Sequence, residues 1–423
     1  MQLRKTSTIN NKKIINCNFK NFNTYNSKEI NAALNVIRSG KLSSFIGNQA
    51  HGFKGGEYVE KFEKKLQAFF KVKYAITVNS WTSGLICAIG AIGVEPGDEV
   101  IVPTWTMTAC AAAVLHWNAI PVFADIEEDT FCISKKSIEK NITKKTKAII
   151  VVDIFGHPAN YREIKKIAKK YNLKIICDAA QSPGSKYFGK FSGTTGDIGG
   201  FSFNYHKHIH TGEGGAIVTN NKIYATKIKL IRNHAEAVVL NNSKKKDLVN
   251  MLGHNFRMGE IEAAIGIQQL AKLSKIIKKR QYIAKLLINK LSKLKYIRLP
   301  IIKKNCTHVF YVFSIVLDDK IIKKRDLIIS LLDKYGLKKI GKGYQNLHLQ
   351  PIYQKKICYG KRSFPWSLSK RKINYKKGIC PNAEKLHSHS FLSFGISFYD
   401  LNRQDVYNIS KIFKKTWSNI GLL

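Results

Sequence analysis

From about residue 57 the chain alternates amphipathic helical segments with short, β-branched apolar runs, and no other feature restricts its fold as strongly. EYVEKFEKKLQAFF carries its aromatic and aliphatic residues at helical spacing, YAITV reads as a strand, SGLICAIGAIG as a helix and DEVIVP as the next strand. PVFADI, KAIIVVDI, the helical REIKKIAKKYN and KIICDAA continue the series. Strands joined through helices are returned in the same direction, so the pattern predicts an α/β fold with a mostly parallel sheet covered by helices on both faces. Sheets of this kind collect ligands at the carboxyl ends of their strands.

Near residue 260 the character changes. EIEAAIGIQQLAKLSKIIKKRQYIAKLLINKLSKL is one long helical pattern, of the kind that crosses between domains. VFYVFSIVL then reads as a strand, KRDLIISLLDKYG as a helix ended by Gly336, SFLSFGIS as a strand and DVYNISKIFKKTW as a closing helix. The predicted organisation is an N-terminal segment (1–54), a large domain (55–265), and a linking helix with a smaller α+β domain (266–423), in keeping with a length of 423 residues. Residues 340–385 read as a long irregular loop rich in aromatic and basic residues, and loops that long are functional or disordered.

Lys and Arg exceed Asp and Glu by 71 to 28, a formal charge of +43. Alone, that charge suggests a nucleic acid or an anionic surface as partner. The lysines, however, are scattered in short groups (NNKK, KNITKKTK, NSKKKD, KLSKIIKKR) among many Ile and Asn, the pattern an AT-rich genome produces, and no zinc finger, helix-turn-helix or RNA-binding signature accompanies them. The expectation is therefore no nucleic-acid partner, with anionic small molecules favoured. The 8 cysteines show no CxxC and no disulfide framework, the N-terminus lacks the apolar core of a secretory signal, and no apolar run reaches membrane-spanning length. These features predict a cytoplasmic protein without a membrane partner.

Three segments carry candidate chemistry. IICDAAQ delivers Asp178 to the end of an apolar strand, where it is either an ordinary strand-end carboxylate or an acid holding a proton on a heteroaromatic nitrogen. FSFNYHKHIHTGEGG encloses Lys207 between a strand and a glycine-rich turn, where burial and neighbouring cations would lower its pKa and make its amine nucleophilic toward carbonyls. NSWTSG, running from a strand into a helix, presents free N–H groups from Ser80 to Gly84, a cup for phosphate or simply a helix cap. An amine, an acid and a phosphate cup in this order suggest pyridoxal phosphate, with Ser202 adding a hydroxyl. His206, His208 and His210 alternate around Lys207; on a strand they would share one face, which permits a metal site, but no fourth ligand is near and none is expected to bind metal.

GGEYVEKFEKKL, VNSWTSGL, GVEPGDEVIVPTWTMTA, PVFADIEEDTF, DAAQSPGSKYFGK, FSFNYHKHIHTGEGG, GHNFRMGEIEAAIGIQQL and PNAEKL, in this order, resemble the DegT/DnrJ/EryC1/StrS family of pyridoxal-phosphate-dependent sugar aminotransferases. The resemblance covers most of residues 55–270 and is weaker beyond. It implies the fold type I, aspartate-aminotransferase-like architecture. It further implies that Lys207 holds the cofactor's aldehyde, that Asp178 partners the pyridinium nitrogen, and that Gln181 contacts the 3-hydroxyl side. Ser202 and the backbone of Ser80, Trp81 and Thr82 would form the phosphate cup. Asn255 matches an asparagine that reaches the phosphate from a neighbouring subunit, which implies a homodimer with shared active sites. Arg257 beside it is an anchor for an anionic substrate group or a structural salt bridge between subunits. There are departures: Trp81 stands where glycine is usual, Met107 where an aromatic often stacks on the cofactor, and Asp153 where histidine is common.

The activity implied is transfer of an amino group from an amino acid, glutamate by resemblance, to a keto sugar, nucleotide-linked, in surface polysaccharide or amino-sugar biosynthesis. The region from Tyr344 to Tyr375, with His348 and Trp366, is the candidate for part of the sugar-nucleotide site, its alternative being a variable surface loop. Two other functions compete: a sugar dehydratase using the same cofactor, in whose relatives histidine stands at the lysine position, and a non-enzymatic regulator or nucleic-acid binder.

Overall fold

The computed structural model describes residue 15 and residues 17–47, 52–236 and 252–423; the basic groups NNKK and NSKKKD, and with them part of the predicted N-terminal segment, lie outside the described residues. Five apolar runs between helices become β1 (Tyr74–Val78), β2 (Glu99–Pro103), β3 (Ile120–Ala124), β4 (Thr146–Val152) and β5 (Lys174–Asp178). A small hairpin, β6 (Lys186–Tyr187) and β7 (Lys190–Phe191), precedes β8 (Ile198–Ser202) and β9 (Gly215–Thr219). The main sheet has the order β1-β9-β8-β5-β4-β2-β3. Pairs β8/β5, β5/β4, β4/β2 and β2/β3 are parallel, while β9 runs antiparallel to both β1 and β8. Strands β2, β8 and β9 are buried at every position, and β4 and β5 at all but one each, as a sheet covered on both faces requires.

The long helical pattern is a single helix, Glu260–Leu291. It leads to a second sheet of β10 (Ile297–Arg298), β11 (Phe313–Leu317) and β12 (Phe391–Phe394), all antiparallel, which shares an apolar core with helices Arg325–Lys334 and Arg403–Asn419. The fold is thus the fold type I arrangement, a mostly parallel sheet with helices followed by a small antiparallel sheet.

Two segments differ from their predicted form. VFYVFSIVL enters β11 only at Phe313; before it, Val309 and Tyr311 donate their N–H groups to the carbonyls of Gly156 and Phe155, both at 2.9 Å, so 309–312 is docked on the turn after β4. Residues 340–385 are not a surface loop. Leu347, Tyr353, Trp366 and Tyr375 are buried in the same core as the main sheet, and the segment contains the short helices Pro351–Lys355 and Pro381–Lys385. Of its aromatic residues, Tyr353, Trp366 and Tyr375 pack into this core, Tyr359 is exposed, and Tyr344 is hydrogen-bonded to Gln181.

Candidate active site

Strand register brings the chemistry together. Gly215, at the start of β9, pairs with Val78 at the end of β1 on one side and Ser202 at the end of β8 on the other. Asp178 closes β5 and pairs with Gly200. The ends of β1, β8 and β5 therefore form one edge, where Ser80, Ser202 and Asp178 leave the sheet.

At β1 the chain turns directly into helix Trp81–Ala91, with Ser80 as N-cap. The Ser80 hydroxyl accepts the Ser83 N–H at 3.1 Å and the Ser80 carbonyl that of Gly84, which leaves the N–H groups of Trp81 and Thr82 directed out of the helix end. Glycine is required opposite them, since a Cβ on Gly215 would lie 2.7 Å from the Trp81 nitrogen. The Trp81 side chain faces away from this cup: its ring lies over Gly200, where a Cβ would approach to 2.0 Å, and it is buried in the sheet's core. Trp81, which stands where glycine is usual in the family it resembles, is accommodated because Gly84 and Gly200 make room for the ring inside.

The loop 203–211 after β8 is a series of turns, not a strand, because β8 ends at Ser202. Lys207 points inward and is buried; its Nζ lies 4.8 Å from the centre of the Tyr311 ring and 3.4 Å from the Tyr311 hydroxyl. Among the described residues no carboxylate is within ion-pair distance. Burial lowers its pKa from 10.5 to about 8, with the charge of Asp178 acting in the other direction. Tyr311 arrives from about a hundred residues further along the chain, and no local spacing marks it as the lysine's neighbour. The alternating histidines do not share a face. His208 is buried with Nε2 2.9 Å from the Val309 carbonyl, His210 Nδ1 is 3.3 Å from the Tyr25 hydroxyl, and His206 lies beside Tyr205 and Tyr311. Burial, followed by the charge of Lys207, lowers the His206 pKa to about 4.

Asp178 is buried, and burial raises its pKa against the opposing effects of the Ala180 N–H, the Cys110 thiol and the charge of Lys207. Its Oδ1 accepts the Ala180 N–H at 3.0 Å, its Oδ2 accepts the weakly donating Cys110 thiol at 3.2 Å, and the Trp81 side chain adds a further pKa-lowering interaction. A buried carboxylate with so weak a partner is suited to a cationic N–H. Together with the open N–H groups at Trp81 and Thr82, this arrangement fits pyridoxal phosphate at both ends of the cofactor. Gln181 accepts the Phe155 N–H through Oε1 at 2.9 Å and donates through Nε2 to the Tyr344 hydroxyl at 2.9 Å, so Tyr344, like Tyr311, joins the site from a distant segment.

The remaining predicted residues lie elsewhere or face outward. Met107 is exposed. Asn255 is exposed and accepts from Arg257 Nε at 2.8 Å; neither is hydrogen-bonded to Lys207 or Asp178. Asp153, buried behind Gln181, takes the Ala159 N–H at 2.8 Å and the Tyr161 hydroxyl at 2.9 Å. His348 differs from the expectation of a sugar-binding histidine: it is fully buried, with Nδ1 2.6 Å from Thr104 Oγ1 and Nε2 3.0 Å from Glu384 Oε1. Both ring nitrogens are occupied, so no position is left for a ligand.

The model of the DegT/DnrJ/EryC1/StrS aminotransferase family matches residues 41–387. The GDP-perosamine synthase of Escherichia coli O157:H7 is 36% identical over 319 residues, 75% of this chain and 84% of that protein. An aminotransferase from Psychrobacter cryohalolentis superposes with a TM-score of 0.80 at 26% identity, covering 95% of this chain and 99% of its own. NtdA from Bacillus subtilis, solved with bound cofactor PMP, gives a TM-score of 0.75 at 29% identity, covering 93% of this chain and 83% of its own.

Proposed function

This chain belongs to the DegT/DnrJ/EryC1/StrS aminotransferase family and is a pyridoxal-phosphate-dependent aminotransferase, and on that footing we propose that it moves an amino group from glutamate to a nucleotide-linked keto sugar. The observation that carries the reading is the buried Lys207 amine, without a carboxylate partner among the described residues, on the same sheet edge as Asp178 and the Ser80 helix end. Similarity to a GDP-perosamine synthase supports the sugar substrate and a place in polysaccharide biosynthesis.

Pyridoxal phosphate, when bound, supplies an aldehyde that accepts amino groups and a pyridine ring that draws electrons from the carbon losing its proton. The Trp81 and Thr82 N–H groups and the Ser202 hydroxyl would hold the phosphate. Asp178 would keep the proton on the ring nitrogen, and a cationic partner there would offset the cost that burial places on its charged form. Lys207, whose amine is partly unprotonated near neutral pH, takes the proton from the donor's α-carbon and returns it during the half-reaction with the sugar. Tyr311 lies against the amine and limits its orientation; Gln181, fixed between the Phe155 N–H and Tyr344, would border the cofactor.

The functional unit is a cytoplasmic homodimer. Ile30, Leu34 and Ile37 form an exposed apolar stripe on helix Ser27–Ser39, continued by Leu42 and Ile46, a surface suited to a second copy. Exposed Asn255, with Arg257 beside it, is placed to complete the partner's site. The free cysteines suit a reducing compartment, and no helix among the described residues is long and apolar enough to cross a membrane.

The test is incubation of the holoenzyme with glutamate and a panel of nucleotide-linked keto sugars, following 2-oxoglutarate and the product mass. Equimolar 2-oxoglutarate and amino sugar are expected. Consumption of sugar to a deoxygenated product without nitrogen would contradict the proposal in favour of a dehydratase.

A further inference from the structure

The backbone at Asp178 is fixed on two sides, since its carbonyl accepts the Asp153 N–H at 2.9 Å and the residue pairs with Gly200. Its carboxyl group is less constrained by its own segment. The Ala180 N–H, two residues on, holds Oδ1 at 3.0 Å. The last torsion of an aspartate side chain is broad, so a single hydrogen bond leaves the plane of the group free to rock about it. The second hold comes from a different element. Helix Ala109–His116 carries Cys110 in its first turn, and the thiol donates to Oδ2 at 3.2 Å from 68 positions away in the chain. The Trp81 side chain also favours the charged form.

This thiol differs from a cysteine that only fills space. Cys87, Cys110, Cys132, Cys177 and Cys380 are all buried, yet among the described residues Cys110 alone donates its thiol to a carboxylate. It is fully enclosed, and burial, followed by the charge of Asp178, raises its pKa well above the ordinary value. The sulfur therefore keeps its proton and acts as a donor. It has little freedom to turn away, because its helix buries Ala111, Ala113, Val114 and Leu115 as well, and the Thr106 hydroxyl lies 3.9 Å from the sulfur. A carboxylate oxygen has two lone pairs, so Oδ2 can accept the thiol and a cationic N–H together, and a donor as weak as a thiol takes little from its basicity.

We propose that Cys110 is a positioning residue for the cofactor: its thiol fixes the direction in which Asp178 offers Oδ2 to the ring nitrogen. The inference rests on the role given to Asp178 above and adds what keeps that carboxylate oriented.

The experiment is a double-mutant cycle on the holoenzyme, comparing wild type, Cys110→Ala, Asp178→Asn and the double variant. Pyridoxal phosphate affinity is measured by equilibrium dialysis, and the visible absorbance of the bound cofactor is titrated against pH. Asp178→Asn should weaken cofactor binding about tenfold or more, through loss of a charge-assisted hydrogen bond. Cys110→Ala should weaken it about three- to tenfold and shift the absorbance midpoint in the wild-type background. In the Asp178→Asn background it should change neither, because a group that acts through that carboxylate has nothing left to act on. Cys110→Ser, which keeps a donor at this place, should bind the cofactor within about twofold of wild type. Equal weakening by Cys110→Ala in both backgrounds would reduce the cysteine to packing and overturn the inference, as would wild-type affinity in Cys110→Ala. Unchanged affinity in Asp178→Asn would overturn the role of Asp178 and this inference with it.

Discussion

Two buried nitrogen bases stand at the carboxyl edge of the same sheet. Lys207 follows β8, and His348 is anchored to Thr104 just past β2, where Leu347 also donates its N–H to the Thr104 carbonyl at 2.8 Å. Burial lowers the pKa of both. They differ in what surrounds them. The His348 ring is bonded at both nitrogens, and its Glu384 partner also accepts the N–H groups of Gly378 and Cys380. The Lys207 amine has one long contact, to a tyrosine hydroxyl, and an acid acting from a distance. Burial alone does not distinguish a reactive group from a structural one; the number of hydrogen-bonding positions left open does.

The sharpest separation of the two is by substitution. Lys207→Ala should lower kcat by about 10³-fold or more, since it removes both the cofactor's covalent attachment and the acid–base group, with the folded fraction unchanged by circular dichroism. His348→Ala should do the reverse: an unfolding free energy lower by roughly 2–4 kcal/mol in urea titration, from the buried space vacated and the hydrogen bonds lost at Thr104 and Glu384, with kcat per folded molecule near wild type. A loss of kcat in His348→Ala without loss of stability would place that histidine in the reaction after all.

A smaller effect concerns protonation. Because the Lys207 pKa is depressed, the fraction of free amine increases as pH rises through about 8 instead of 10.5, so the rate of pyridoxal phosphate uptake by the apoprotein should rise with a midpoint near 8. Asp178→Asn removes the negative charge that holds this pKa up, and the midpoint should move lower. A midpoint that stays in place would mean Asp178 does not sense the amine. The smallest change is expected from Tyr311→Phe. The ring stays, a 3.4 Å contact is lost, and kcat should fall by no more than about tenfold, the value of one hydrogen bond.

What could be read from the sequence divides along the same line. Lys207, Asp178, Gln181 and the Ser80 helix end lie within a few residues of strand termini, so the βα alternation and the local motifs carry them. Tyr311 and Tyr344 reach the site from the far side of the long helix, through the docking of 309–312 on Phe155 and Gly156 and the packing of 340–385 on the main sheet. No periodicity encodes such contacts. The same packing explains why His348 reads as a ligand in the sequence: an aromatic, basic segment looks alike whether its rings face solvent or a core. Trp81, unusual at its position, is accommodated by Gly84 and Gly200, the latter more than a hundred residues away.

The central claim is that Lys207 is the residue that carries the cofactor. Reduction of the holoenzyme with borohydride, followed by proteolysis and peptide mass spectrometry, should find the pyridoxyl phosphate adduct on the peptide containing Lys207 and on no other lysine. An adduct on a different lysine, in enzyme that retains transaminase activity, would contradict the account.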